Sequence, residues 1–190
     1  GEITRAEVAT IFFRLLRDDV RRANFTSYNT YTDVSTDKWY NNPVSTMSRL
    51  GIIKGYPDGT FRPNDPITRA EFAAIAARFD EHKAAKLASF TDIYGHWAIK
   101  GYNDGTFRPN RNITRAEAMA LINRVLNRAP EKPSDLLNDM NKWTDNMDTT
   151  KWYYLDVQEA TNSHDYTRKT NNYELWKKML ADPDWAKYER

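Results

Sequence analysis

One stretch of seventeen residues occurs twice in the chain, and it constrains the fold more than any other feature. Residues 55–71 read GYPDGTFRPNDPITRAE and residues 101–117 read GYNDGTFRPNRNITRAE, so fourteen of the seventeen positions are identical. The closing letters, ITRAE, occur a third time at residues 3–7. Such repeats indicate similar supersecondary units that bury their apolar faces against one another.

The repeated stretch predicts the same local structure in each copy. Thr68 and Glu71 have the spacing of a capping box, and matching pairs recur in the other two copies. We therefore expect helices to begin directly after Thr4, Thr68 and Thr114. The letters DGTFRP ahead of two of these helices predict a tight turn followed by a short extended segment, because the residue before proline avoids the helical region.

A second mark, an aspartate followed by a tryptophan, precedes each glycine loop. Asp33 with Trp39 and Asp92 with Trp97 form clear pairs, and a looser pair lies near residue 150. These marks divide the chain into six predicted segments: a first repeat cut to its helix at 1–17, a linker at 18–29, repeats at 30–80 and 89–128, a linker at 129–140, and a divergent repeat with a C-terminal amphipathic helix at 141–190.

The repeat at 89–128 is shorter than the one before it by about twelve residues, which would fall between Ala98 and Ile99. In the longer repeat, the corresponding residues have apolar side chains at helical spacing and end at Gly51, which predicts a helix closed by a glycine. Our interpretation is that a mobile segment is missing from the sequence at this point. A true deletion is the alternative, and the intact mass of the chain distinguishes the two.

Composition excludes several classes of protein. The chain has 28 basic and 26 acidic residues and a net charge of +2, which does not favour nucleic acid as a partner. The absence of cysteine excludes disulfides and thiolate metal sites. His82, His96 and His164 have no metal or catalytic spacing, so we expect no metal, no cofactor and no enzymatic activity. The chain opens inside a repeated motif, so the missing signal peptide says nothing about export.

The arginine of each ITRAE is not explained by helix capping. Arg5, Arg69 and Arg115 are each expected at the first helical position, where a cation opposes the helix dipole at a cost of about 0.3–1 kcal/mol. Two explanations remain open. One is a bound anion that both the arginine and the helix N-terminus attract. The other is an internal aspartate or glutamate.

The letters GIIKGYPDGTFRPNDPITRAE, the preceding aspartate and tryptophan, and the threefold recurrence resemble the S-layer homology (SLH) domain family. The resemblance implies a mainly helical fold in which three repeats form a pseudo-threefold trident with short loops and extended segments. It also implies non-covalent anchoring of an exported bacterial protein to a secondary cell-wall polysaccharide that carries a pyruvylated amino sugar. We therefore expect an extracellular location at the cell wall and no insertion into the membrane.

The resemblance implies grooves in which the TRAE arginine contacts the ligand. Tryptophans would cover the sugar ring, aspartates would accept its protons, glycines would let the backbone approach it, and lysines would add positive charge. Core packing is the alternative role for the tryptophans, and turn or cap formation is the alternative for the aspartates. The candidate ligand-binding residues are Arg5, Arg69, Arg115, Asp33, Asp92, Trp39, Trp97, Trp152, Lys54, Gly55, Lys100 and Gly101.

A second functional class also fits the repeats. They could form a structural module that assembles surface proteins through protein–protein contacts, including self-association in a surface layer, without binding glycan. For the glycan-binding class, we expect Arg69→Ala or Arg115→Ala to weaken binding while leaving the fold intact, because the capping residues would remain.

Overall fold

The computed structural model describes residues 1–81, 101–102 and 104–189. The candidate residues Asp92, Trp97 and Lys100, and the shortening between Ala98 and Ile99, lie outside the described residues. The elements are α1 (Arg5–Leu15), α2 (Asp18–Asn24), α3 (Asn41–Arg49), α4 (Arg69–Glu81), α5 (Arg115–Val125), α6 (Tyr154–Thr161), β1 (His164–Arg168) and β2 (Glu174–Met179). The predicted mainly helical class is confirmed for this part of the chain, in which no helix has the length and apolar character needed to cross a bilayer.

The chain divides into two compact bodies. Among the described residues, the first body comprises 1–81, 101–113 and 184–189, and the second body comprises 114–183. The first body contains α1 to α4 and both glycine loops. The second body contains α5, α6 and the β1–β2 hairpin.

The three predicted helix starts are confirmed. Thr4 and Thr114 are the N-cap residues of α1 and α5, and each forms a complete capping box with the glutamate three residues later. Thr68 does the same for α4, since its backbone N–H donates to Oε2 of Glu71 at 3.0 Å and its hydroxyl accepts from the Glu71 N–H at 3.3 Å. Each box satisfies N–H groups that have no partner within the helix.

Aromatic rings from α1 and α4 form much of the core of the first body. The Phe12 ring lies 5.7 Å from that of Phe72 and 5.0 Å from that of Phe79, and all three side chains are buried. The predicted helix before Gly51 is α3, and Gly51 follows it with a φ of +71°, a conformation that glycine adopts without strain. Burial of each large apolar side chain stabilises the fold by about 1.5–3 kcal/mol.

The three ITRAE copies meet through one closed ring of backbone hydrogen bonds. The N–H of Ile67 donates to the carbonyl of Ile3 at 3.1 Å, the N–H of Ile113 to Ile67 at 3.0 Å, and the N–H of Ile3 to Ile113 at 3.3 Å. All three isoleucine side chains are buried. Equivalent backbone atoms of the three repeats therefore share one apolar centre in the first body.

The segment at 18–29 is not the plain linker that was predicted. It begins with α2, and Arg21 on that helix is buried and donates to the carbonyls of Phe13, Arg14 and Leu16. These carbonyls lie at the C-terminal end of α1, where the last carbonyls of a helix lack the usual partner four residues later. Residues 18–29 therefore connect two repeats, as predicted, but Arg21 among them also closes the preceding helix.

The prediction of a C-terminal helix at residues 173–180 is wrong, because residues 174–179 form β2. β2 pairs antiparallel with β1, with Arg168 opposite Glu174 and a bulge between Asp165 and Tyr166. Glu174 and Trp176 are buried on the strand. The apolar residues of this segment fit both a helical period and a strand period, and pairing with β1 decides between them.

The predicted linker at 129–140 also contains regular structure, a short 3-10 helix at Pro133–Asp135. The carboxylate of Asp135 accepts from the backbone N–H groups of Glu131 and Lys132 and from the ammonium of Lys169. This segment is therefore fixed to the hairpin of the second body through Lys169.

Candidate functional site

The loop of the first GYxDGTF copy is shaped by its own hydrogen bonds. The Tyr56 N–H donates to the carbonyl of Thr60 at 2.8 Å, and Oδ1 of Asp58 accepts from the Thr60 hydroxyl at 2.6 Å. Arg62 has a φ of +58° and donates from Nη2 to Asp58 Oδ2 at 2.8 Å. The hydrogen bonds that the Asp58 carboxylate accepts, from the Thr60 hydroxyl first and then from Arg62, lower its pKa to about 2.

The second copy repeats the first bond for bond. Oδ1 of Asp104 accepts from the Thr106 hydroxyl at 2.7 Å, and Arg108, at a φ of +55°, donates to Oδ2 of Asp104 at 2.5 Å. Hydrogen bonds from Thr106 and then Arg108 lower the pKa of Asp104 to about 2. The identical letters of the two copies are therefore largely explained by the internal structure of the loop.

Asp33 has the turn-forming role that the sequence left open. Its carboxylate accepts from the backbone N–H groups of Phe61 at 2.8 Å and Arg62 at 2.7 Å. It therefore holds the loop from the preceding segment of the same repeat.

The glycines that precede the tyrosines are required by the protein itself. A Cβ at Gly55 would lie 2.5 Å from the Thr60 carbonyl oxygen and would overlap the ring of Tyr31. At Gly101 it would lie 2.7 Å from the carbonyl oxygen of Thr106. At Gly55 and Gly101, the close approach is therefore between backbone atoms of the same loop.

Arg5 lies in the loop of the next repeat, in an arrangement that we call the first arginine cradle (Arg5, Lys54, Tyr56, Phe61 and Glu71). Its Nε donates to the carbonyl of Phe61 at 2.8 Å, Nη2 donates to that of Lys54 at 3.0 Å, and Nη1 pairs with Oε1 of Glu71 at 2.7 Å. The guanidinium lies over the rings of Tyr56 and Phe61, 4.7 and 4.8 Å from their centroids. Only 5% of Arg5 is exposed.

Glu71 serves two purposes in this cradle. Its Oε2 belongs to the capping box of α4, and its Oε1 accepts from Arg5 and, at 2.7 Å, from the hydroxyl of Tyr56. Partial burial alone would raise the pKa of Glu71, but hydrogen bonds from Thr68 and Tyr56 and the charge of Arg5 lower it below its usual value. The carboxylate therefore stays ionised and holds the arginine in place.

The second arginine cradle (Arg69, Tyr102 and Phe107) has the same construction. Arg69 is 5% exposed, its Nε donates to the carbonyl of Phe107 at 2.9 Å, and its guanidinium lies 4.7 Å from the centroid of the Tyr102 ring. The backbone follows the same pattern, because the first N–H groups of α4 donate to the carbonyls of Arg111 and Pro109.

The three TRAE arginines differ in burial, although they stand in the same sequence motif. Arg5 and Arg69 are buried in the two cradles, whereas Arg115 is exposed in the second body. The physical reason is that a GYxDGTF loop follows Arg5 and Arg69 in the sequence, and the sequence after Arg115 has no further copy.

Two of the candidate tryptophans are surface residues. Trp39 is 48% exposed and Trp152 is 61% exposed. Each ring packs edge-on against the tyrosine that follows it, with centroid distances of 5.3 Å for Trp39 and Tyr40 and 5.4 Å for Trp152 and Tyr153. Core packing is therefore not the role of these two residues.

The structure brings Arg5, Asp33, Lys54 and Gly55 together around one loop, and Arg69 and Gly101 around the other. Sequence reasoning missed Tyr56, and it assigned Glu71 to the helix cap alone. The repetition of Tyr56 as Tyr102 was the available signal.

The sequence model of the S-layer homology domain matches residues 30–73 and 89–119. The chain is 38% identical to the cellulosome-anchoring protein of Acetivibrio thermocellus, over 95% of this chain and 43% of that protein. It is 35% identical to cell surface glycoprotein 1 of the same organism, over 95% of this chain and 8% of that protein.

A shorter match joins the chain to the middle cell wall protein of Brevibacillus brevis, 40% identical over 40% of this chain and 7% of that protein. The chain thus spans less than half the length of these relatives, and no solved structure matches it. The predicted location at the bacterial cell surface is confirmed by these relatives. Through its repeated glycine loops and capped TRAE helices, the chain belongs to the S-layer homology domain family.

Proposed function

We propose that the chain is a cell-wall anchoring module that binds a pyruvylated secondary cell-wall polysaccharide non-covalently and tethers a surface protein to it. The observation that carries the proposal is the arginine cradle, in which Arg5 and Arg69 each donate from Nε to a backbone carbonyl and lie over a tyrosine and a phenylalanine ring. A guanidinium fixed by the protein loses little conformational freedom when it meets a carboxylate.

The first cradle has the chemistry to recognise the carboxylate of a pyruvyl ketal. A guanidinium has five N–H donors, and the described residues engage three of those of Arg5. Lys54, whose carbonyl accepts from Arg5, is exposed and places a second cation at the same loop. A charge-assisted hydrogen bond of this kind contributes about 1.5–3 kcal/mol.

Trp39 supplies the second element of the proposed site, a surface for the apolar face of a sugar ring. Its ring is exposed and is supported edge-on by Tyr40, which is itself buried. A rigid aromatic surface on a polar protein suits carbohydrate, because it covers C–H groups and leaves the hydroxyl groups free to bond elsewhere.

We also infer that the repeats form the pseudo-threefold trident of the family. The closed ring of hydrogen bonds through Ile3, Ile67 and Ile113 supports this arrangement, because each repeat donates to one neighbour and accepts from the other. Amide hydrogen exchange provides the test. We expect the amides of all three isoleucines to be strongly protected from exchange, and to a similar degree. Fast exchange at one of them would contradict the closed ring of hydrogen bonds.

Protein–protein assembly in a surface layer remains the second candidate function. The names of the relatives include surface proteins, and exposed aromatic residues such as Trp152 also suit a protein partner. In either function the module binds and does not catalyse.

Sedimentation with purified cell walls separates the two functions. We expect the chain to sediment with intact walls and to stay in solution after chemical removal of the secondary polymer. Retention on stripped walls, together with concentration-dependent self-association, would favour assembly through protein contacts.

A further inference from the structure

The second body contains a buried cluster of ionisable side chains that anchoring does not require. Glu159 on α6, His164 on β1 and Glu174 on β2 are 1%, 7% and 0% exposed. The imidazole Nε2 lies 3.5 Å from Oε2 of Glu159 and 3.5 Å from Oε2 of Glu174. Three potential ligand atoms from three different elements therefore face one small volume.

The tautomer of His164 follows from its other ring nitrogen. Nδ1 lies 2.8 Å from the carbonyl oxygen of Asn162, which only accepts hydrogen bonds, so Nδ1 carries a proton. In a neutral imidazole, Nε2 then directs a lone pair at two carboxylate oxygens. Three acceptors facing one another repel, so either a proton or a metal ion is expected between them.

The distances favour a metal ion over a proton. A charge-assisted N–H···O bond is about 2.7–2.9 Å long, which is shorter than either contact of Nε2. Ligand atoms arranged tetrahedrally around Zn²⁺ at about 2.0–2.1 Å lie about 3.3–3.4 Å apart, close to the observed separations. We propose that Glu159, His164 and Glu174 bind a divalent transition-metal ion, for which Zn²⁺ has the matching bond lengths.

The surroundings orient these ligands as a metal site requires. The indole N–H of Trp176 donates to Oε2 of Glu159 at 3.0 Å, and its ring stacks on the imidazole of His164 at 3.9 Å. The carbonyl of Asn162 fixes the imidazole from its far side, which is a common second contact of histidine ligands. The same contacts direct Nε2 at the carboxylates.

Two arginines contact the outer oxygens of the cluster. Nη2 of Arg128 lies 2.9 Å from Oε1 of Glu159, and Nη2 of Arg168 lies 3.5 Å from Oε1 of Glu174. Neither Oε1 accepts an aligned hydrogen bond from a described residue. The guanidinium groups partly compensate the carboxylate charge, so the affinity for Zn²⁺ is expected to be lower than in a site of uncompensated carboxylates. They leave both Oε2 atoms facing the imidazole.

The ligand set selects among ions. An imidazole nitrogen suits Zn²⁺ and its neighbours in the transition series, whereas Ca²⁺ and Mg²⁺ prefer sites made of oxygen alone. Titration of the intact chain, after dialysis against a chelator, tests this directly by calorimetry at neutral pH. We expect one Zn²⁺ per chain and no saturable binding of Mg²⁺ or Ca²⁺.

Thermal unfolding supplies a second measurement. At a Zn²⁺ concentration about a hundredfold above the dissociation constant, the melting temperature should rise by about 5 °C or more. His164→Gln should weaken Zn²⁺ binding at least tenfold. Glu131→Gln is the matched control, because it changes a carboxylate of the same body that pairs with Lys169 at the surface, and it should bind Zn²⁺ like the wild type.

The wild-type titration remains decisive even where a variant does not fold. A folded wild-type chain that shows no saturable Zn²⁺ binding would overturn the proposal. So would undiminished Zn²⁺ binding by folded His164→Gln. Nitrogen NMR that finds both ring nitrogens of His164 protonated in the presence of Zn²⁺ would mean that a proton, and not a metal ion, holds the cluster together.

Discussion

The guanidinium of Arg5 pairs with Oε1 of Glu71 at 2.7 Å, and this contact joins the capped helices of two successive repeats. Of the two explanations for the TRAE arginine, the internal carboxylate is therefore present for Arg5. The cation at the start of α1 is held by Glu71 and by two backbone carbonyls of the next repeat. We predicted from the sequence that Arg69→Ala or Arg115→Ala leaves the fold intact. Because Arg5 and Arg69 are both buried, we expect the removal of either of these two arginines to lower stability.

Arg5→Ala is expected to lower the free energy of unfolding by about 3 kcal/mol. The substitution leaves the carbonyls of Lys54 and Phe61 and the carboxylate of Glu71 without their donor, and it opens a cavity between two aromatic rings. Denaturation in urea measures the change.

Arg17→Ala is the matched control, because Arg17 pairs with Asp19 at an exposed site. It should unfold at nearly the wild-type urea concentration. If Arg5→Ala were as stable as Arg17→Ala, the first cradle would not support the fold.

The pH dependence of stability should show the contribution of Glu71. Its pKa is lowered in the folded chain, so its stabilising effect is complete above the ordinary value of 4.5 and is lost as the pH falls through the lowered pKa. Asp58 and Asp104, whose pKa values are lowered from 3.8 to about 2, add to the loss at still lower pH.

Glu71→Gln should therefore lose less stability than the wild type as the pH is lowered below 4.5. Glu2→Gln changes an exposed carboxylate of the same body and should keep the wild-type slope. Equal slopes for Glu71→Gln and wild type, measured by urea denaturation across this range, would show that Glu71 does not carry the effect.

Alanine substitutions at two glycines distinguish the cost of a steric clash from the cost of a positive φ. Gly55→Ala places a Cβ 2.5 Å from the Thr60 carbonyl oxygen and into the ring of Tyr31, which should cost about 3 kcal/mol. Gly51→Ala meets no atom within 4 Å, and the φ of +71° alone should cost about 1 kcal/mol. Thermal unfolding measures both variants. A lower melting temperature for Gly51→Ala than for Gly55→Ala would contradict the described loop.

Much of the local structure could be predicted from the sequence because its causes are local. A capping box is defined within four residues, so the starts of α1, α4 and α5 follow from the letters TRAE alone. The end of α3 at Gly51 follows in the same way from a single residue that tolerates a positive φ.

The remaining features depend on partners that are distant in the sequence. Residues 174–179 form a strand because His164–Arg168 pairs with them, and no signal within the segment itself decides this. The burial of Arg5 depends on a loop about fifty residues later, and the sequence offered an anion or an acidic residue without choosing between them. The cluster around His164 also needs three elements to converge, so no linear spacing reveals it.

Trp39 is expected to contribute to binding and little to stability. Its ring is half exposed, so Trp39→Ala should change the free energy of unfolding by less than about 1 kcal/mol. Loss of the aromatic surface should weaken sugar binding about tenfold. Trp143→Ala is the matched control, because Trp143 is also an exposed tryptophan but is not among the candidate residues. Equal binding by the two variants would remove Trp39 from the site.

Recognition of the pyruvyl carboxylate can be measured by calorimetry with a monovalent sugar. We expect pyruvylated N-acetylmannosamine to bind the wild-type chain at least tenfold more tightly than its unpyruvylated parent, since one charge-assisted contact contributes about 1.5–3 kcal/mol. Equal affinities for the two sugars, or no binding of either by a chain that still sediments with cell walls, would contradict recognition of the pyruvyl carboxylate.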